Sequence, residues 1–171
     1  MICYAVIDTN VFISALLSKN DAAATVQLYD RLLDGDIIPV YSKEIMNEYR
    51  EVFSRSKFKI APSLIDNLIY TIEKNGIMVE PSSTGAMLPD MKDLPFYEVV
   101  MEKRDDNAYL VTGNMKHFPV EPFIVTPRQM LDILDKKKAF AKLESLDLDF
   151  PENFDADTEL REALEDKYDI K

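Results

Sequence analysis

Four side chains with oxygen donors are spaced along the chain so that they could meet at one metal site: Asp8, Glu48, Asp93 and Asn114. Three carboxylates within a few ångströms repel one another, and a hard cation such as Mg²⁺ or Mn²⁺ relieves that repulsion. An ion held in this way can supply a hydroxide and stabilise charge on a phosphoryl oxygen. Metal-assisted phosphodiester hydrolysis is therefore the chemistry that this set of residues suggests.

A parallel sheet would bring these side chains to one edge. The apolar run 2–7 is rich in β-branched residues and predicts a central strand buried on both faces, with Asp8 just past its carboxyl end. Open α/β sheets bind their ligands at the carboxyl ends of the strands. Glu48 lies at the margin of a helical apolar stripe and can point inward, while Asn114 follows a later apolar run.

Strand and helix patterns alternate along most of the chain. Helices are predicted to begin near Asp21, after Ser42 as cap, at Pro62, at Asp93 with its own side chain as cap, and at Pro127. Strands are predicted at 2–7, 37–41, 77–79, 108–111 and 123–125. This alternation predicts a parallel sheet of about five strands with right-handed crossovers and helices on both faces.

Length and composition favour one globular body with an acidic extension. With 171 residues, 47% of them hydrophobic, the chain can bury a real core, and we assign residues 1–135 to the body and 136–171 to the extension. The single cysteine, Cys3, excludes an internal disulfide and a cysteine-based zinc cluster, and it favours a reducing, cytoplasmic compartment. We expect no membrane span, because no apolar stretch reaches about 18 residues. We expect no signal peptide, because no basic region precedes the first apolar run and Asp8 interrupts that run.

The negative charge is concentrated near the end of the chain. The net charge is −11, and the segment 144–171 contains 11 acidic and 3 basic residues. The remaining body is close to neutral, so local basic patches and a bound divalent cation can still attract phosphate groups.

Four motifs resemble those of the PIN-domain ribonucleases in order and spacing. They are Val-Ile-Asp-Thr-Asn-Val-Phe-Ile-Ser-Ala-Leu around Asp8, Glu-Tyr-Arg-Glu-Val-Phe from Glu48, Asp-Met-Lys-Asp-Leu-Pro-Phe-Tyr-Glu from Asp90, and Tyr-Leu-Val-Thr-Gly-Asn-Met-Lys-His-Phe around Asn114. The similarity covers about residues 1–134. It is closest to the branch described as toxin components of toxin–antitoxin systems.

This resemblance implies a Mg²⁺- or Mn²⁺-dependent endoribonuclease with a three-layer α/β/α sandwich. It implies an RNA substrate, a homodimer or higher homo-oligomer, and inhibition by a small antitoxin protein. Carried over by position, Asp8, Glu48 and Asp93 are the three acids that hold the metal. Asn114 stands where the family often has a fourth acid, and an amide without charge would hold a second ion more weakly.

Further residues are expected to support this centre. Thr9 and Asn10 are expected to orient Asp8 by hydrogen bonds, and Thr112 belongs to the same supporting group. We predict that His117, the single histidine, packs or bonds beneath its loop, and that Asp90 is a loop acid. The basic residues proposed to contact the RNA backbone are Lys92, Lys116 and Arg104.

The acidic extension carries a hypothesis of its own. Its apolar residues predict that part of it docks on the body or on another subunit: Phe140, Leu143, Leu146, Leu148, Phe150 and Phe154. We predict that this extension covers basic groups near the RNA groove and lowers activity, and a role in dimerisation or solubility is the alternative.

A phosphoacceptor receiver domain also has acids at its strand ends. It needs adjacent acids after the first strand, an acceptor Asp after the third and a Lys after the fifth. This chain meets none of these requirements, since the corresponding residues are Asp8-Thr9, Glu80-Pro81 and Thr126-Pro127. A catalytically silent PIN fold that binds or regulates a protein partner remains the alternative. Singly, each acid could also be a turn, surface or capping residue.

Overall fold

Strands and helices alternate in the structure, a computed structural model that describes residues 2–145 and 155–168. The strands are β1 (Cys3–Ile7), β2 (Ile37–Tyr41), β3 (Ile77–Met78), β4 (Tyr109–Val111) and β5 (Ile124–Val125). The helices are α1 (Thr9–Leu17), α2 (Ala24–Leu33), α3 (Lys43–Phe53), α4 (Pro62–Asn75), α5 (Leu94–Glu102), α6 (Pro127–Glu144) and α7 (Ala156–Tyr168).

The five strands form one parallel sheet with the order β3-β2-β1-β4-β5. This confirms the predicted fold class. Strand β1 lies at the centre, and its register with β4 pairs Ile7 with Val111. The next residues in the two strands, Asp8 and Thr112, therefore leave the sheet side by side at its carboxyl edge.

Helices pack around the sheet. Helix α2 packs against α1 and α6, α3 packs against α4 and α5, and α1 also contacts α3. Strand β1 lies at the centre of this arrangement, and the side chains of Ala5, Val6 and Ile7 are almost completely buried. A strand covered on both faces explains why the run 2–7 lacks polar alternation.

Most predicted helix starts are close to the observed ones, with one correction. The hydroxyl of Ser42 accepts from the amide of Ile45 at 3.2 Å and caps α3 as expected. The prediction that a helix begins near Asp21 was wrong, because α2 begins at Ala24. The side chain of Asn20 instead accepts from the amide of Ala22 at 3.0 Å and holds this segment in a turn.

Helix α6 continues through the lysine cluster 136–138 to Glu144, so the domain boundary predicted between 135 and 136 falls inside a helix. Helix α7 packs against α6, with Leu164 buried and Lys167 Nζ 2.5 Å from Asp132 Oδ2. Phe140 contacts the core, as the docking hypothesis requires. Four other apolar residues of that hypothesis lie outside the described residues: Leu146, Leu148, Phe150 and Phe154.

Helix α7 also borders the end of the sheet at which β4 and β5 begin. Together with Arg104, Tyr109 and Phe123, its residues Thr158 and Leu164 line a cavity of about 230 Å³. The described part of the extension therefore lies near Arg104, at the edge of the sheet opposite to Asp8. Among the described residues, no helix combines the length and the apolar character that crossing a membrane requires.

A side chain at Gly76 is predicted to clash with neighbouring atoms and to destabilise the fold. Gly76 follows α4, and a Cβ atom there would lie 2.7 Å from the Pro39 carbonyl oxygen and 2.9 Å from Tyr41 Cε1. We expect Gly76→Ala to lower the free energy of unfolding by about 1–3 kcal/mol, the usual cost of overpacking. Chemical denaturation measures this. Gly113→Ala is the matched control, since nothing lies within 4 Å of its added Cβ, and equal losses in both variants would contradict the explanation.

Candidate metal centre

Asp8 is the most deeply buried acid of the centre. It caps α1 and is only 4% exposed. One carboxylate oxygen accepts from the amide of Asn10 at 2.9 Å, and the other accepts from the hydroxyl of Thr112 at 2.7 Å. Because a carboxylate oxygen has two lone pairs, each can still coordinate an ion while these bonds fix the side chain. The expected support from Asn10 comes from its backbone.

Thr112 connects two of the predicted site residues. Its hydroxyl donates to Asp8 and accepts from the amide of Asn114 at 2.9 Å. The parallel register of β1 and β4 brings this hydroxyl to Asp8.

Glu48 points toward the same edge from α3. The hydroxyl of Thr9 donates to its Oε1 at 2.5 Å. Thr9 therefore orients Glu48, and the expectation that its side chain orients Asp8 is corrected. Thr9 is the first residue of α1, and its buried hydroxyl faces α3 across the strand end.

Tyr49 holds α3 in this position. Its hydroxyl donates to the carbonyl of Ile7, the last residue of β1. Its ring stacks on Phe53 at a centroid distance of 5.5 Å and meets the edge of Phe12 at 5.4 Å. Burial, followed by the charges of Asp8 and Glu48, raises the pKa of this tyrosine, so the phenol stays protonated and remains a donor.

The acids interact electrostatically. Burial raises the pKa of Glu48, the hydrogen bond from Thr9 opposes this, and the charges of Asp8 and Asp93 raise the pKa further. Burial likewise raises the pKa of Asp93, the hydrogen bond from His117 lowers it, and the charge of Asp8 raises it. The structure therefore brings Asp8, Glu48 and Asp93 close enough to repel one another.

Asp93 uses its side chain differently from the sequence prediction. It precedes α5, but its side chain makes no capping hydrogen bond. Its Oδ2 instead lies 2.8 Å from Nδ1 of His117, and the local cap is Asp90, whose Oδ1 accepts from the amide of Lys92 at 3.0 Å. The prediction that Asp93 caps the helix is therefore wrong.

His117 and Asp90 lie beside Asp93, which the sequence did not predict. Together with Asp93 they offer ligand atoms that lie within 4.8 Å of one another, so this group can hold a metal ion. The sequence predicts His117 beneath its loop and Asp90 as a loop acid. His117 is the last residue of a 3₁₀ turn at 115–117. Asp90 caps the start of another 3₁₀ turn, at 91–93. Asn114 adjoins them, with its Nδ2 3.3 Å from Nδ1 of His117.

Lys92 lies in the same turn as Asp93, and Lys116 lies in the same turn as His117. Both lysine side chains are exposed. Arg104 lies elsewhere, in a turn before β4. Its guanidinium stands 4.2 Å from the centroid of the Phe123 ring and donates to the carbonyl of Ala108, and burial lowers its pKa. The structure therefore does not bring Arg104 to the carboxylates.

The donor set fits a divalent cation. Within 2–145 and 155–168, no lysine or arginine forms an ion pair with Asp8, Glu48 or Asp93. Partly buried like charges without such pairing destabilise the folded state, and a cation removes that cost. Carboxylate oxygens are the ligands that Mg²⁺ and Mn²⁺ prefer.

Comparison with known proteins places the chain in a family. The family profile described as PIN domain matches residues 4–116, which is more than half of the chain and includes Asp8, Glu48, Asp93 and Asn114. The matched region ends one residue before His117. Searches of curated proteins and of solved structures return no match. The chain therefore belongs to the PIN domain family, whose members are in general metal-dependent nucleases.

Proposed function

We propose that this protein is a Mg²⁺- or Mn²⁺-dependent endoribonuclease that hydrolyses RNA phosphodiester bonds, with the ion held by Asp8, Glu48 and Asp93. The observation that carries the proposal is the convergence of these carboxylates without a lysine or arginine partner among the described residues. Asn114 stands beside them and can contribute a neutral amide oxygen or position a water.

The residues of the centre have separable tasks in this reaction. When bound, the ion supplies a hydroxide from a coordinated water and stabilises charge on the phosphoryl oxygen. Asp8 is held rigidly by Thr112 and Asn10, so its oxygens are positioned before the substrate arrives. The hydroxyl of Thr9 orients Glu48, so this carboxylate is also positioned before the ion and the substrate bind.

An open groove beside the carboxylates supports a nucleic-acid strand as substrate. It encloses about 280 Å³ and is lined by small, uncharged side chains, among them Asn10, Ser14, Thr25 and Asn114. The exposed Lys92 and Lys116 stand near the acids and can contact backbone phosphates. The preference for RNA rests on the motif resemblance.

The biological setting is part of the same proposal. The motifs support a toxin component of a toxin–antitoxin system that acts in the cytoplasm, forms a homodimer or higher homo-oligomer and is inhibited by a small antitoxin protein. A catalytically silent PIN fold that binds a protein partner is the second candidate. The neutral Asn114, which adds no charge to the centre, is the observation that favours it.

Asp8→Asn is expected to abolish cleavage. Asparagine keeps an oxygen acceptor for the Thr112 hydroxyl but removes the buried charge that attracts the cation. We expect the rate of cleavage of structured and unstructured RNA with Mg²⁺ or Mn²⁺ to fall at least about 100-fold, in line with the large effects of losing a metal ligand. Asp66→Asn, an exposed acid on α4, is the control. Cleavage that persists in chelator, or in Asp8→Asn, would refute the proposed mechanism.

Glu48→Gln is expected to stabilise the metal-free protein. Glutamine retains an oxygen that accepts the hydrogen bond from Thr9, and it removes one of the mutually repelling charges. The raised pKa of Glu48 means that the folded state disfavours the ionised carboxylate. In chelator at pH 7–8, the melting temperature should rise by about 2–5 °C, equivalent to roughly 1 kcal/mol. The gain should disappear as the pH falls through the raised pKa of Glu48, because the wild-type side chain is then also neutral.

The control for this change is Glu44→Gln, an exposed glutamate on the same helix. Added Mg²⁺ or Mn²⁺ should raise the melting temperature of the wild type more than that of Glu48→Gln. A metal-free Glu48→Gln variant that melts below the wild type would contradict the repulsion between these acids.

A further inference from the structure

We propose that His117 is a ligand of this metal centre, through Nδ1, and that it makes the centre prefer a first-row transition ion such as Mn²⁺ to Mg²⁺. This inference rests on the proposed function, since it concerns the same ion. Among the described residues, the imidazole is the nitrogen ligand in the group that Asp90, Asp93 and His117 form.

The distance between His117 and Asp93 suits two neighbouring ligands. Nδ1 of His117 lies 2.8 Å from Oδ2 of Asp93. Two ligand atoms about 2.1 Å from one ion and at right angles to each other are separated by about 3 Å. An ion can therefore replace the hydrogen between these atoms with little movement of either side chain.

The side-chain amide of Asn114 adjoins the same ring nitrogen. Its Nδ2 lies 3.3 Å from Nδ1 of His117, and Oδ2 of Asp93 lies 2.8 Å from that nitrogen. Rotation of the amide exchanges its nitrogen for its oxygen, so Asn114 can offer an oxygen ligand beside Nδ1 and Asp93.

Asp90 adds a negative charge to the same group. It is partly buried, and its carboxylate offers an oxygen within 4.8 Å of the ligand atoms of Asp93 and His117. Asp93 also senses the charge of Asp8. Asp93 is thus linked both to the buried Asp8, through its charge, and to His117, through a direct contact.

A nitrogen ligand changes which ion is bound most tightly. Mg²⁺ strongly prefers oxygen ligands and gives up its waters reluctantly, whereas Mn²⁺ and the later first-row ions accept imidazole. An all-oxygen centre would have bound both ions through similar contacts. His117 therefore shifts selectivity toward the transition ion.

Pulsed electron paramagnetic resonance on the full-length, tag-free protein loaded with Mn²⁺ tests this directly. Coordinated imidazole nitrogen modulates the Mn²⁺ echo with a coupling stronger than that of nearby amide nitrogens, and the chain contains one histidine, so an imidazole signal can arise only from His117. We expect ¹⁴N modulation in the wild type and its loss in His117→Gln. Bound Mn²⁺ without ¹⁴N coupling in the wild type would overturn the inference, and this measurement needs no variant to fold.

Equilibrium binding separates selectivity from a merely structural role. In His117→Gln, the affinity for Mn²⁺ should fall at least about tenfold and the affinity for Mg²⁺ less than about threefold. Asp90→Asn should weaken both ions, and Glu98→Gln, a glutamate on α5, is the control outside the ligand group. Equal losses for Mn²⁺ and Mg²⁺ in His117→Gln would also overturn the inference.

Failure of the proposed function has a different signature. If Asp8→Asn binds Mn²⁺ as the wild type does, or if no ion supports RNA cleavage by a protein that binds Mn²⁺ through His117, the nuclease proposal fails while the ligand assignment stands. If cleavage depends on Asp8 but the echo shows no nitrogen, the ligand assignment alone fails.

Discussion

Repulsion between carboxylates is the constraint on which the site depends. Asp8 is almost fully buried, and the pKa of Glu48 and of Asp93 is raised by burial and by neighbouring negative charge. A chain that only had to fold would separate these groups or pair each with a basic side chain. Their convergence costs stability in the free protein, and a cation bound among them, as we propose, would remove that cost.

Two hydrogen bonds from buried side chains hold the acids together against this repulsion. The Tyr49 hydroxyl joins α3 to the last carbonyl of β1, and the Thr112 hydroxyl joins the end of β4 to Asp8. The packing of the sheet and its helices fixes both donors. The hydrophobic core therefore determines the positions of the acids. The aromatic contacts of Tyr49 with Phe12 and Phe53 make α3 rigid at the point where Glu48 projects.

The sequence predicts the sheet and the acids better than it predicts their partners. Apolar runs and helix caps define the parallel sheet, and the strand end at Asp8 locates its carboxyl edge. The hydrogen-bond partners of the acids are harder to predict, because they are distant in sequence. Thr9 is 39 residues from its partner Glu48, and His117 is 24 residues from Asp93. Periodicity contains no information on such pairs. Arg104 shows the same limit, since only the fold reveals that its guanidinium lies over Phe123.

The misassigned cap of α5 shows how a failed local rule can point to function. A capping aspartate contributes about 0.5–2 kcal/mol to a helix, and Asp93 stands at the position where it could do so. Its carboxylate faces His117 instead, while Asp90 caps the preceding turn. A side chain that leaves a favourable local bond must gain more elsewhere or be held by its surroundings, and departures of this kind are concentrated at functional sites. The first turn of α5 is thus organised around what Asp93 binds rather than around the helix it begins.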